Sequence, residues 1–188
     1  EFRRVLFRSA AGIPFTADAA LPLASEPFVA TVDLVLAAVE SSFARDALVE
    51  LLTTPHLRVV KEGLAADAIR EFDQLLREQS YIGDITHLKT IVDAWTAERS
   101  RAAAQAALAV ASTLSPMLEA APASIAVGRV IAFLAGHLAP LAEDDPLAGR
   151  DARVRAATFE LLQALADAHA RHHDVEWRSD DLAAGIRR

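Results

Sequence analysis

The residues with most capacity for chemistry lie near the C-terminal end, in HARHHDVEW: His169, His172, His173 and Asp174. His169 and His173 stand four apart, so on a helix they share one face, which is the spacing of a zinc-ligand pair. The stretch also closes a long helical pattern. Positive side chains at a helix C-terminus are favoured by the macrodipole, so a capping role is the expectation for this cluster. Glu143, Asp144 and Asp145 offer three adjacent carboxylates. Neighbouring carboxylates converge on a cation only when the backbone wraps around it, and this run reads as a solvated loop. Arg150, Arg153 and Arg155 are the candidate contacts to DNA phosphates, with a solvated helix face beside Asp151 as the competing reading. Trp95 and Trp177 read as packing residues rather than base-stacking platforms. His56, His87 and His137 have no triad partner visible in sequence.

Known catalytic frames are missing. The sequence contains no G-x-x-x-x-G-K-[ST] phosphate loop, no G-x-G-x-x-G fingerprint, no H-E-x-x-H and no G-x-S-x-G. It has no cysteine, which excludes disulfides, thiolate metal sites and cysteine nucleophiles. No catalytic, cofactor-binding or metal-ligating residue is assigned on these grounds.

Helices must position whatever these residues do. Phe28, Val32, Val35, Leu36, Val39 and Phe43 recur at helical spacing, with Pro27 in the first turn and Ser25 or Glu26 near the cap. RDALVELL predicts a shorter helix that Thr54-Pro55 stops. LRVVKEGL reads as a loop with a short extended piece. AADAIREFDQLLREQ is amphipathic, with Ala65, Ile69, Phe72, Leu75 and Leu76 on one face. A turn at Tyr81-Ile82-Gly83-Asp84 leads into ITHLKTIVDAW, with Ile85, Leu88, Ile91, Val92 and Trp95 inward. Helix is expected to run on through RSRAAAQAALAVASTL to a break at Ser115-Pro116. SIAVGRVIAFLAGHL, RDARVRAATFELLQALADAHARHH and SDDLAAGIRR predict the last three helices. The expected class is all-α, a multi-helix bundle-like arrangement with at most one short orphan strand near residues 13–15.

Composition agrees. The 188 residues are 53% hydrophobic but only 6% aromatic. The excess of Ala and Leu favours helix. The formal net charge of −7 argues against a dominant phosphate-binding surface. No apolar run approaches the roughly 20 residues that span a bilayer, and a cytoplasmic location is expected. The opening EFRRVLFRS stands apart, with three arginines against Glu1, so the remaining 179 residues carry −9. These nine residues resemble the translation of a sequencing-adapter end. They are expected to be non-native, with the natural N-terminus lying upstream.

AAGIPF, followed by LPLASEPFVATVDLVLAAVESSFARDALVELLTTPHLRV, resembles a stretch of UvrD/RecB-like superfamily-one helicases and their AddB-type, PD-(D/E)XK nuclease-fused relatives. The matching positions are Gly12, Ile13, Pro14 and Phe15, then Leu23, Pro27 and Val29, then Phe43, Asp46, Leu48, Leu51, Leu52 and Pro55. REFDQLLREQSYIGDITHL and DARVRAATFELLQALADAHA resemble later segments of the nuclease-fused branch. The resemblance implies an internal fragment. Residues 10–26 would end the second RecA-like lobe, and residues 27–188 would form a helical insertion truncated at its C-terminus. It implies DNA and a helicase–nuclease partner subunit as partners of the parent, which would use ATP and Mg. None of the family's ATP-site or nuclease motifs is matched here, so no catalytic residue is carried over. The competing expectation is an all-α ligand-binding or dimerisation domain of a transcriptional regulator, whose helices would enclose an apolar pocket.

Overall fold

The computed structural model describes residues 23–58 and 64–187. The segments 1–9 and 10–22, with the strand expected at 13–15, lie outside the described residues, as do residues 59–63 within the ambiguous LRVVKEGL stretch. The described chain is all-α: α1 (Pro27–Glu40), α2 (Arg45–Thr53), α3 (Ala66–Glu78), α4 (Ile85–Asp93), α5 (Arg101–Leu114), α6 (Ala123–His137), α7 (Ala148–His172) and α8 (Ser179–Ile186). A two-stranded antiparallel ribbon joins β1 (Ala121–Pro122) to β2 (Glu176–Trp177).

Pro27 opens α1, where its missing N–H costs nothing. α1 and α3 end in related ways, with the difference that Phe43 beyond α1 is itself left-handed (φ 63°) and Tyr81 beyond α3 is not. Beyond α1, Ser42 has φ 54° and the Phe43 N–H donates to the Ala38 carbonyl at 2.7 Å. Beyond α3, Ser80 has φ 53° and the Tyr81 N–H donates to the Leu76 carbonyl at 2.9 Å. Both are Schellman-type ends with serine in the left-handed place that glycine usually takes, and with a buried aromatic ring just after it. The two corners are tied together. Tyr81 Oη donates to the Phe43 carbonyl at 2.8 Å, and the Asp84 N–H donates to the Ser42 carbonyl at 2.9 Å. A Cβ at Gly83 would sit 3.3 Å from that same Ser42 oxygen, so the close approach favours glycine. Asp84 then caps α4 by accepting from the Thr86 N–H at 2.9 Å.

α1 is wrapped by α2, α7 and α8, while α5 packs on α2, α3 and α4. Phe28, Val32, Val35, Leu36 and Val39 of α1 are all buried. α5 is lined with alanines (Ala103, Ala104, Ala106, Ala107, Ala111), whose small side chains let neighbours approach. α6 and α7 form a long hairpin, and β1–β2 zips the end where α6 begins and α7 finishes.

The structure departs from the helical pattern in three places. The helix expected through RSRAAA is interrupted: α4 stops at Asp93 and α5 starts at Arg101. A corner at Trp95 takes the place of helix, with the indole buried against Phe72 and its Nε1 donating to Ser100 Oγ at 3.3 Å. Ala65 is the exposed residue before α3, and Ala68 takes the inward place. The β1–β2 ribbon was not expected, since two-residue strands leave no alternating pattern.

Burial, reinforced by the Asp84 charge, pushes the Tyr81 pKa well above its ordinary value. Tyr81→Phe would leave the Phe43 carbonyl without this donor and is expected to cost about 1–3 kcal/mol. Ser80→Gly relieves a left-handed non-glycine residue and is expected to stabilise by about 0.5–1 kcal/mol. Urea unfolding of both variants checks the pair of opposite signs. Loss of stability in Ser80→Gly would show that the serine is not strained.

Candidate functional site

The histidine-rich C-terminal stretch is structural in its observed contacts. His169 meets the Trp177 ring edge-on at 4.6 Å between centroids, and its Nδ1 lies 3.3 Å from the His173 carbonyl oxygen. Asp174 accepts from Ser124 Oγ at 2.6 Å and from the Ser124 N–H at 2.9 Å, so its carboxylate sits on the N-terminus of α6. In the loop before α7, Asp145 Oδ1 accepts from the Leu147 N–H at 2.8 Å while Glu143 and Asp144 are exposed. Trp95 is core, and Trp177 is half-buried at the edge, with a Cβ at Gly185 falling 2.9 Å from its Cζ3 and closer still to Cη2. His137 stacks on Phe133 at 4.6 Å, and His87 lies 5.5 Å from the Tyr81 ring.

The three arginines part company. Arg150 donates from Nε to both oxygens of Glu26 (3.2 and 3.0 Å) and from Nη2 to Oε1 at 2.5 Å. These hydrogen bonds and the Glu26 charge raise the Arg150 pKa. Arg155 donates to the Leu138 and Ala139 carbonyls at 2.9 and 3.2 Å and lies 4.6 Å over the Phe28 ring. Arg153 is exposed and makes no hydrogen bond or ion pair with another described residue.

One group was invisible in the sequence. A half-open cleft of about 320 Å³ separates the start of α1 from the start of α7. Ser25, Glu26, Pro27, Phe28, His56 and Asp151 contribute to its wall. His56 and Asp151 are both buried, with Nδ1 and Oδ1 3.9 Å apart. The Phe28 ring meets His56 edge-on at 5.8 Å. His56 is held there by its own backbone: its carbonyl accepts from the Ala139 N–H at 2.9 Å, and Arg58 N–H donates to the His137 carbonyl at 2.8 Å. Asp151 lies in the first turn of α7, where the helix dipole favours its charge. A second open groove runs past Leu75, His87, Ile91 and Trp95. No helix among the described residues is long and apolar enough to cross a membrane. Comparison with protein-family models, curated proteins and solved structures gives no match to this chain.

The Asp174 contact has a pH signature. The side-chain hydrogen bond from Ser124, then the Ser124 N–H and the nearby His169, hold its carboxyl below the usual carboxylate range, against a small desolvation effect. A depressed folded pKa gives stability that is present above the unfolded value of about 3.9 and is lost as pH falls through the folded one. Asp174→Asn is therefore expected to lower Tm at neutral pH, with the difference from the parent chain closing at strongly acid pH. A Tm difference that stays constant from pH 7 downward would exclude this contact as its source.

Proposed function

We propose that this chain is the helical insertion of a helicase–nuclease-type DNA repair protein, packing against a partner subunit and guiding DNA, with the ATP- and Mg-dependent chemistry carried elsewhere in the parent. The supporting observation is where the resemblance-bearing residues sit. Pro27 opens α1, and Phe43, Leu48, Leu51 and Leu52 form the buried α1–α2 corner. SYIGD, from the second resembling segment, supplies the Tyr81 hydroxyl that locks this corner. Phe43, Leu48, Leu51 and Leu52 are thus joint positions, as a scaffold's would be, while Asp46 and Pro55 of the same stretch are exposed. The ligand-binding alternative stands second, because it calls for an enclosed apolar pocket and the two clefts described are open to solvent.

Electrostatics restricts how such a piece would touch DNA. Arg150 and Arg155 are engaged within the chain, which leaves Arg153 as the free member of the trio for a phosphate. Binding to a forked duplex is expected to be weak, with Kd no tighter than about 1 µM at physiological salt. Arg153→Ala is expected to reduce the salt slope by about one. Fluorescence anisotropy across a salt series measures both. Sequencing the reading frame beyond both ends tests the assignment itself. A Gly-Lys-Ser/Thr loop upstream or an Asp followed by Asp/Glu-x-Lys downstream is expected, and a frame holding neither overturns it.

A further inference from the structure

The cleft between α1 and α7 carries an unbalanced charge. Glu26 is fully engaged, since Arg150 donates to both of its oxygens. Asp151 is not. Its side chain is 6% exposed, and among the described residues its one hydrogen bond is a 3.3 Å contact from the Leu141 N–H to Oδ2. Oδ1 faces His56 Nδ1 across 3.9 Å, beyond hydrogen-bonding reach. That nitrogen is buried and has no hydrogen-bond partner among the described residues. A buried polar atom left without a partner is costly, and more so when it is charged. With the His56 proton on Nε2, its Nδ1 lone pair and Asp151 Oδ1 are two facing acceptors 3.9 Å apart, and one donor group that carries at least two hydrogens bridges them.

We propose that this cleft binds an aliphatic primary ammonium, its head between Asp151 Oδ1 and His56 Nδ1 and its hydrocarbon body against Pro27, Phe28, Leu147 and Val154. An ammonium supplies three N–H donors in a tetrahedral array and the positive charge that Asp151 lacks. A metal ion is disfavoured because Glu26, the third ligand it would need, is committed to Arg150. An anion is disfavoured because Arg150 is neutralised by Glu26 while Asp151 remains negative. Arg155 does not fill the place, since its guanidinium is held by the Leu138 and Ala139 carbonyls. The same head group could be presented by a free amine or by a lysine side chain of a partner protein. The site is independent of the proposed DNA role.

The test uses the full chain and n-butylammonium chloride, followed by ¹H–¹⁵N shifts of the His56 ring. A saturable shift with Kd of about 1 mM or tighter is expected. n-Butanol, which has the same body without the charge, is expected to bind at least ~10-fold more weakly, about 1.4 kcal/mol. Asp151→Asn should abolish binding. Because that change could unfold the chain, Leu147→Trp provides a second variant. Leu147 is an exposed rim residue, 54% accessible, and the larger ring should block the cleft without disturbing the buried pair. Putrescine and Nα-acetyl-lysine methylamide form the two further arms, and the tighter of them identifies the source as free amine or protein lysine. No shift at about ten times the expected Kd means that water alone bridges the pair, and overturns the proposal. Equal binding of butanol, or undiminished binding by Leu147→Trp, overturns it as well.

Discussion

The N-terminal half of the molecule depends on two left-handed serines. Ser42 and Ser80 each reverse the chain at a helix end, and each does so without the freedom of glycine. A non-glycine residue in this region costs roughly 1–2 kcal/mol. At the first corner Phe43 is left-handed as well, with φ 63°, and what offsets the cost at both corners is burial of the residue that follows the serine. Phe43 and Tyr81 are buried, and burying an aromatic side chain of this size contributes about 1.5–3 kcal/mol. The two corners then share hydrogen bonds, Tyr81 Oη with the Phe43 carbonyl and Asp84 N–H with the Ser42 carbonyl. The directions of α1 through α4 are therefore set at one place. The alanine face of α5 can close against α2 and α3 because that place fixes how far apart they stand.

This explains which parts of the fold were legible in the sequence. Helix faces were, because Val32, Val35, Leu36 and Val39, or Ile69, Phe72 and Leu76, repeat at the period that one-sided burial demands. Pro55 and Pro116 mark stops, because the residue before a proline is biased away from helix. Tertiary choices were less visible. Nothing local announces that the chain breaks at Trp95; the break follows from an indole that finds Phe72 and Ser100. The His56–Asp151 pair could not be read at all. It forms because the segment after α2 runs antiparallel to the end of α6, bridging Leu57 to Leu138, and α7 then returns past it. In sequence His56 has no visible partner and Asp151 belongs to a solvated face beside the arginines.

The C-terminal half is held by planar charged groups that reach backbone or carboxylate. Arg155 spans two successive carbonyls at the end of α6, which lack intrahelical donors of their own. Arg150 closes on Glu26 in a forked arrangement that a lysine could not reproduce. Arg187, after α8, reaches Asp33 at 2.6 Å and Glu40 at 2.7 Å on α1. The carboxylate pairings of Arg150 and Arg187 lower the chain's capacity for phosphate. A guanidinium already matched by a carboxylate brings no net positive charge to a nucleic acid, and it releases few counterions on contact. With a net charge of −7, any guidance of DNA has to come from a few unmatched positions and from shape.

α1 is the element that both halves share. Its C-terminal end carries the Ser42–Phe43 corner, and its N-terminal end carries Glu26 and the cleft. The cleft wall is drawn from three separate places: the start of α1, the segment after α2, and the start of α7. A ligand seated between His56 and Asp151 would tie the α2 end of the first half to the hairpin of the second. Free energy gained there would favour the arrangement in which the halves meet, by the ordinary linkage of binding to folding. A buried carboxylate left short of donors is costly in isolation, and its placement at this seam gives that cost a structural consequence.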